Sequence, residues 1–164
     1  MKKQQPRILI VIDVQRGFIT EDTKNVPAAV EKIQDGYDVV FATRFINPPR
    51  APFRRLLGWN DMGAGEKGAE LAFGLRRDGI VIEKTGYTAM LPEITALLQR
   101  LGVDTVYLCG LETDQCVLKT AADFFEAGYR PVVLAEACAS TAGEETHRSA
   151  VAILRRMIGE KQIC

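Results

Sequence analysis

The chain of 164 residues is long enough for one domain with a substantial core, and its 47% apolar and 26% charged side chains match an ordinary soluble globular protein. Twenty-one basic and twenty-one acidic residues cancel to a formal charge of zero, so bulk charge recruits neither nucleic acid nor an anionic membrane. The apolar run Ile8–Ile12, ended by Asp13, is too short for a signal-peptide core or a membrane span. A cytoplasmic location is therefore expected, with Cys109, Cys116, Cys138 and Cys164 reduced. Without a Cys-x-x-Cys pair, and with His147 the only histidine, no structural zinc site is expected.

In chain order, strand-like runs alternate with amphipathic segments. Ile8 to Ile12 reads as a buried strand, and Val26 to Ile33 as a short helix with Val26, Ala29, Val30 and Ile33 on one face. Val39 to Ala42 is a second strand. The stretch from Arg44 to Gly58, which contains Pro48, Pro49 and Pro52, is expected to be irregular. Ile80–Ile82 is a third strand, and Leu91 to Leu101 a helix that turns Leu91, Ile94, Leu97 and Leu98 inward. Val106–Cys109 is a fourth strand, followed by a helix over Val117 to Ala127. Val132–Leu134 is a fifth, and Glu144 to Met157 the last long helix. Apolar strands joined by helices imply an α/β fold with a covered parallel sheet. The expected form is a single domain over residues 1–164, a three-layer α/β/α sandwich of five or six strands. Whether the tail from Gly159 to Cys164 adds the sixth is left open by the sequence.

Ligands of such sheets bind beyond the carboxyl ends of the strands. The polar residues there are Asp13, Arg44, Lys84 and the turn from Glu112 to Cys116. Cys116 stands on the first turn of a helix, whose partial positive charge favours thiolate, the nucleophile of covalent catalysis. The alternative for such a cysteine is a small buried core residue, the role expected of Cys109 and Cys138, while Cys164 is a tail thiol. Gly63 to Gly68 matches the dinucleotide-binding letters, but no strand precedes it, so it is set aside. No Walker A sequence is present. His147 follows no strand end and is expected to be a partly exposed helix residue.

The segments Ile8 to Gln15 with Phe18, Ile82 to Met90, Gly110 to Val117 and Ala135 to Ser140 together resemble the isochorismatase-like cysteine hydrolases, the superfamily that includes nicotinamidases. The resemblance covers essentially the whole chain and implies the Rossmann-like isochorismatase fold. It implies a catalytic triad of Asp13, Lys84 and Cys116. In the implied mechanism Asp13 moves the protons, Cys116 forms a thioester with an amide-like carbonyl, and Lys84 holds the carboxylate. It further implies a non-proline cis peptide at Leu111–Glu112, which aims the backbone amides of Glu112 and Cys116 at one point as an oxyanion hole.

Two departures narrow what is carried over. Nicotinamidases follow the second strand with an Asp-x-His pair and a further histidine that bind a metal, whereas this chain has Thr43-Arg44-Phe45-Ile46-Asn47. No metal and no other cofactor is therefore expected. The loop from Asn47 to Trp59 is also short and basic, so Arg44, Arg50, Arg54 and Arg55 are candidates to read a substrate carboxylate or to pair with a neighbouring subunit. Phe18, Tyr87 and Trp59 are expected to wall the pocket, with Arg44 as a further substrate contact. The expected partner is a small molecule, and family members being usually homo-oligomers implies a homodimer or homotetramer. The leading function is a metal-independent hydrolase of a small amide or related carbonyl compound. The alternatives are a vinyl-ether hydrolase of the isochorismatase type with Asp13 as acid, and a non-catalytic scaffold or binding protein.

Overall fold

The computed structural model describes residues 5–164. Five strands, β1 (Ile8–Ile12), β2 (Val39–Phe45), β3 (Ile80–Lys84), β4 (Thr105–Leu111) and β5 (Arg130–Ala139), form one parallel sheet in the order β3-β2-β1-β4-β5. The helices flanking it are α1 (Val26–Ile33), α2 (Pro52–Leu57), α3 (Pro92–Leu101), α4 (Leu118–Glu126) and α5 (Glu144–Ile158). This is the expected three-layer α/β/α sandwich. All five residues of β1 are fully buried at its centre, which is why that strand carries no polar side chain.

The chain leaves β1 towards β2 and β3, then returns to lay β4 on the other side of β1. That reversal opens a crevice beyond the carboxyl ends of β1 and β4. The last pair in their register is Ile12 with Gly110. Gly110 has φ +119°, and a Cβ built on it would lie 2.1 Å from the Ile12 carbonyl oxygen. Only glycine lets β4 run this tightly beside the residue that precedes Asp13.

Two features differ from the sequence reading, and a third resolves a point that it left open. β2 continues three residues past Ala42, to Phe45. The segment expected to be irregular contains α2, because Pro52 takes the first helical position and Gly58, at φ +68°, supplies the left-handed cap. The tail adds no sixth strand. It docks on β5 through a single parallel bridge of Ile163 to Val133, with the Cys164 amide donating to the Val133 carbonyl at 2.9 Å. The glycine-rich run 63–68 is a loop leading into a single turn, Lys67–Ala69, with no strand before it. Among the described residues no helix is long and apolar enough to cross a membrane.

Candidate active site

Three strand ends bring Asp13, Lys84 and Cys116 together, as the sequence predicts. Asp13 turns out of β1 at φ +49°, a left-handed conformation that aspartate tolerates better than most residues. Thr43 of β2 fixes it from both sides: its Oγ1 accepts the Asp13 amide at 3.2 Å and donates to Oδ1 at 2.7 Å. Lys84, the last residue of β3, extends its stem past the ring of Phe45 and sets Nζ 2.6 Å from Asp13 Oδ2. Both side chains of this pair are only 1% exposed.

The ammonium directs its donors to the carbonyl oxygens of Gly86 at 2.7 Å and Tyr87 at 3.0 Å, and to Cys116 Sγ at 3.5 Å. A lysine has three donors, so all are occupied. Asp13 Oδ2 lies in ion-pair contact with Nζ, and the carboxyl is also within hydrogen-bonding reach of the Cys116 thiol.

Cys116 sits in a π-helical turn, Thr113–Val117, that follows a cis peptide at Leu111–Glu112. The carbonyl of Glu112 accepts the amides of Gln115 and Val117, which flank the cysteine. Wide turns of this kind concentrate at functional sites. The turn is tied to α5 by a hydrogen bond of 2.8 Å between Thr113 Oγ1 and His147 Nδ1, so the only histidine anchors the cysteine turn.

One electrostatic expectation is corrected. The helix terminus was expected to favour thiolate, yet burial pushes the Cys116 thiol well above its ordinary range and the Asp13 charge adds to this, with Lys84 offsetting only part. Burial likewise raises Asp13, opposed by Lys84, Thr43 and Cys116. Both shifts favour the protonated form, so the sulfur rests as a neutral thiol.

A cleft of about 370 Å³ opens onto Cys116. Phe18, Trp59 and Tyr87 line it as anticipated, joined by Phe45 and Phe53, which the sequence reading missed. The Phe45 and Trp59 rings stack with centroids 5.7 Å apart, and Tyr87 meets Phe53 edge-on at 5.0 Å. Phe45 is held in place by buried Gln15, whose Oε1 accepts the Phe45 amide at 2.8 Å and whose Nε2 donates to the Phe45 carbonyl at 3.0 Å. Gln115 and Thr141 add polar edges. Thr43 and Phe45 become visible in sequence only once β2 is read to its true end, where alternation turns both to one face.

Arg44 does not join the cleft. It points to the opposite face of β2 and forms an ion pair with Glu83, its register partner on β3. Arg54 donates to the Asn47 carbonyl from Nε and Nη2, both at 3.1 Å, while Arg50 and Arg55 are exposed. Among the described residues no arginine lines the cleft, and of the two roles open to these arginines the reading of a substrate carboxylate has no support in this geometry.

Glu112 is 5% exposed; its Oε2 accepts the Thr141 amide at 2.5 Å and its Oε1 has no partner among the described residues. Burial pushes its carboxyl up to about 7, against the Thr141 hydrogen bond and with the charges of Asp114 and Asp13 adding to the rise. The folded protein thus binds the proton more tightly than the unfolded chain. This contribution to stability is complete below about pH 4.5 and is lost as pH rises through 7. A Glu112→Gln variant still accepts from Thr141 but lacks the titration. Wild type is expected to lose on the order of 2–3 kcal/mol more than the variant between pH 4.5 and 8, measured by denaturant unfolding.

The sequence model of the isochorismatase domain matches residues 7–161. The chain belongs to the isochorismatase family. Isochorismatase domain-containing protein 2 of Xenopus laevis is 38% identical over 58 residues, which is 35% of this chain and 28% of that protein. The pyrazinamidase/nicotinamidase of Streptococcus mutans has the same fold, with a TM-score of 0.81, 24% identity, and 96% of this chain matched to 99% of that one. The N-carbamoylsarcosine amidase of Thermoplasma acidophilum superposes with a TM-score of 0.76 at 26% identity, over 91% of this chain and 92% of that one. This chain is thus a member of the isochorismatase-like hydrolase family.

The residues of this isochorismatase-like chain do not fit the metal site described for nicotinamidases. Where β2 ends, Phe45 and Ile46 offer no ligand. Asn47 donates its amide nitrogen to the carbonyls of Trp59 and Asp61, both at 2.9 Å, and its Oδ1, buried without a partner among the described residues, is one neutral oxygen where the Asp-x-His pair has a carboxylate and an imidazole. Among the described residues no three histidine, cysteine or acidic side chains gather to hold an ion. All four cysteines are free, Cys109, Cys116 and Cys138 buried and Cys164 exposed.

Proposed function

We propose that this protein is a metal-independent cysteine hydrolase of a small amide or related carbonyl compound, working through a thioester on Cys116. The observation that carries the reading is the buried set of Asp13, Lys84 and Cys116, with Nζ 2.6 Å from Asp13 Oδ2 and 3.5 Å from Cys116 Sγ, facing an aromatic cleft. The likeness to an N-carbamoylsarcosine amidase supports cleavage of a C–N bond.

In this mechanism Asp13 Oδ2 takes the thiol proton as sulfur attacks the substrate carbonyl, so a proton leaves sulfur only when a bond is forming. Lys84 stabilises the sulfur as charge develops on it. The backbone amides of Glu112 and Cys116 receive the carbonyl oxygen in its anionic form; one such donor typically contributes about 2.7–4 kcal/mol. Protonated Asp13 passes its proton to the departing nitrogen, which leaves as ammonia or an amine. Asp13 then draws a proton from water, the hydroxide oxygen adds to the thioester, and the thiol is restored with release of the acid. Cys116→Ala tests the reading, because it removes thioester chemistry while sparing any cleavage that needs only an acid at Asp13.

A further inference from the structure

The charge lining the cleft narrows the substrate class, an inference that rests on the amidase reading and deepens it. Glu112 is the only acidic or basic side chain among the residues that line the cleft, and it carries its charge above about pH 7. Lys84 is the nearest cation, and its charge and donors are taken by Asp13, two carbonyls and Cys116. The surrounding arginines are committed or exposed elsewhere: Arg44 to Glu83, Arg54 to Asn47, Arg50 and Arg55 to solvent. Asp114 contributes further negative charge behind the same turn, and its Oδ1 is buried without a partner among the described residues.

A cleft of one sign with low-dielectric walls concentrates ligands of the opposite sign. Five aromatic rings supply such walls, and their faces attract cations. A substrate carboxylate placed here meets a buried acid and no counter-ion, an arrangement that disfavours binding.

We propose that Glu112 makes this site selective for small amides whose body is neutral or positively charged, and against those that carry a carboxylate. Glu112 acts on substrate choice through its side chain, apart from the role of its backbone amide. The same field argues against a dicarboxylate vinyl ether as substrate.

The test compares two methanethiosulfonate reagents of similar size, one with an ammonium head and one with a sulfonate head, at pH 8.5 on the intact protein. Peptide mapping reads the rate at Cys116 against exposed Cys164 in the same molecule, which removes the intrinsic reactivity of each reagent. The expected result is an ammonium-over-sulfonate preference about ten-fold or more greater at Cys116 than at Cys164, falling to near parity in Glu112→Gln. Equal preference at the two cysteines, or a preference unchanged by the substitution, overturns the proposal. Should Glu112→Gln fail to fold, the wild-type comparison still decides the sign of the field. Because Asp13 would serve as base for any electrophile that reaches the sulfur, Cys116 inert to both reagents while Cys164 reacts would instead remove the amidase reading itself, a separate and recognisable failure.

Discussion

Cys116→Ala is expected to lower turnover of any small amide substrate by at least about 10⁴-fold while leaving the fold intact, since removal of a covalent nucleophile has effects of that order. The side chain is small and buried at the edge of the core, and the substitution deletes only sulfur, so stability should move by about 1 kcal/mol, the common size for a single substitution. Steady-state kinetics on wild type and variant, with circular dichroism to confirm folding, checks both halves. Activity retained in the variant would point to acid catalysis by Asp13, and the reading of the site would shift to vinyl-ether cleavage.

The second large effect concerns the buried ion pair. Lys84→Met leaves the Asp13 carboxylate in a site where both partners are 1% exposed, and breaking such a pair typically costs about 3–5 kcal/mol. Asp13 escapes the penalty by taking a proton, so the loss should be smaller at pH 5 than at pH 8. The double variant Asp13→Asn with Lys84→Met removes both charges and should recover most of the stability, because a buried pair contributes little net free energy over neutral groups. It should recover none of the activity. Urea unfolding of the single and double variants at the two pH values gives the cycle. Additive losses in the double variant would mean that the two side chains are not energetically coupled, contrary to the 2.6 Å contact.

The alternation of apolar runs and amphipathic segments was sufficient to read five strands and their parallel arrangement, because β1, β2 and β4 are covered on both faces and leave an unbroken apolar signal. Asp13, Lys84 and Cys116 were legible as three reactive residues just past or at strand ends, and the resemblance supplied the roles proposed for them. Arg44 was misplaced for one physical reason. The apolar run stops at Ala42, but Thr43, Arg44 and Phe45 continue to pair with β3, so Arg44 is a strand residue facing outward rather than a rim residue. The helix α2 was hidden by three prolines in five residues, which lower helical propensity everywhere except at the first helical position that Pro52 occupies.

Tertiary burial accounts for what remained out of reach. Sequence position alone made the helix terminus the dominant influence on Cys116. The fold instead surrounds the thiol with apolar walls and places the Asp13 carboxylate beside it, and both raise its affinity for the proton. Glu112 shows the same limit. A glutamate in a turn reads as solvated, and only the packing of Thr141 against it reveals a buried acid in the cleft wall.

The central claim is that Cys116 accepts an acyl group with Asp13 as its base, and trapping that acyl-enzyme tests it most directly. Wild type, Cys116→Ala and Asp13→Asn would each be mixed with phenyl acetate, quenched in acid within the first turnovers, and read by intact mass and peptide mapping. The expected result is an acetyl group on the Cys116 peptide of wild type, released by hydroxylamine, absent from Cys116→Ala and strongly slowed in Asp13→Asn. Acetylation confined to Cys164 and surface lysines, with the Cys116 peptide unmodified, would contradict the account.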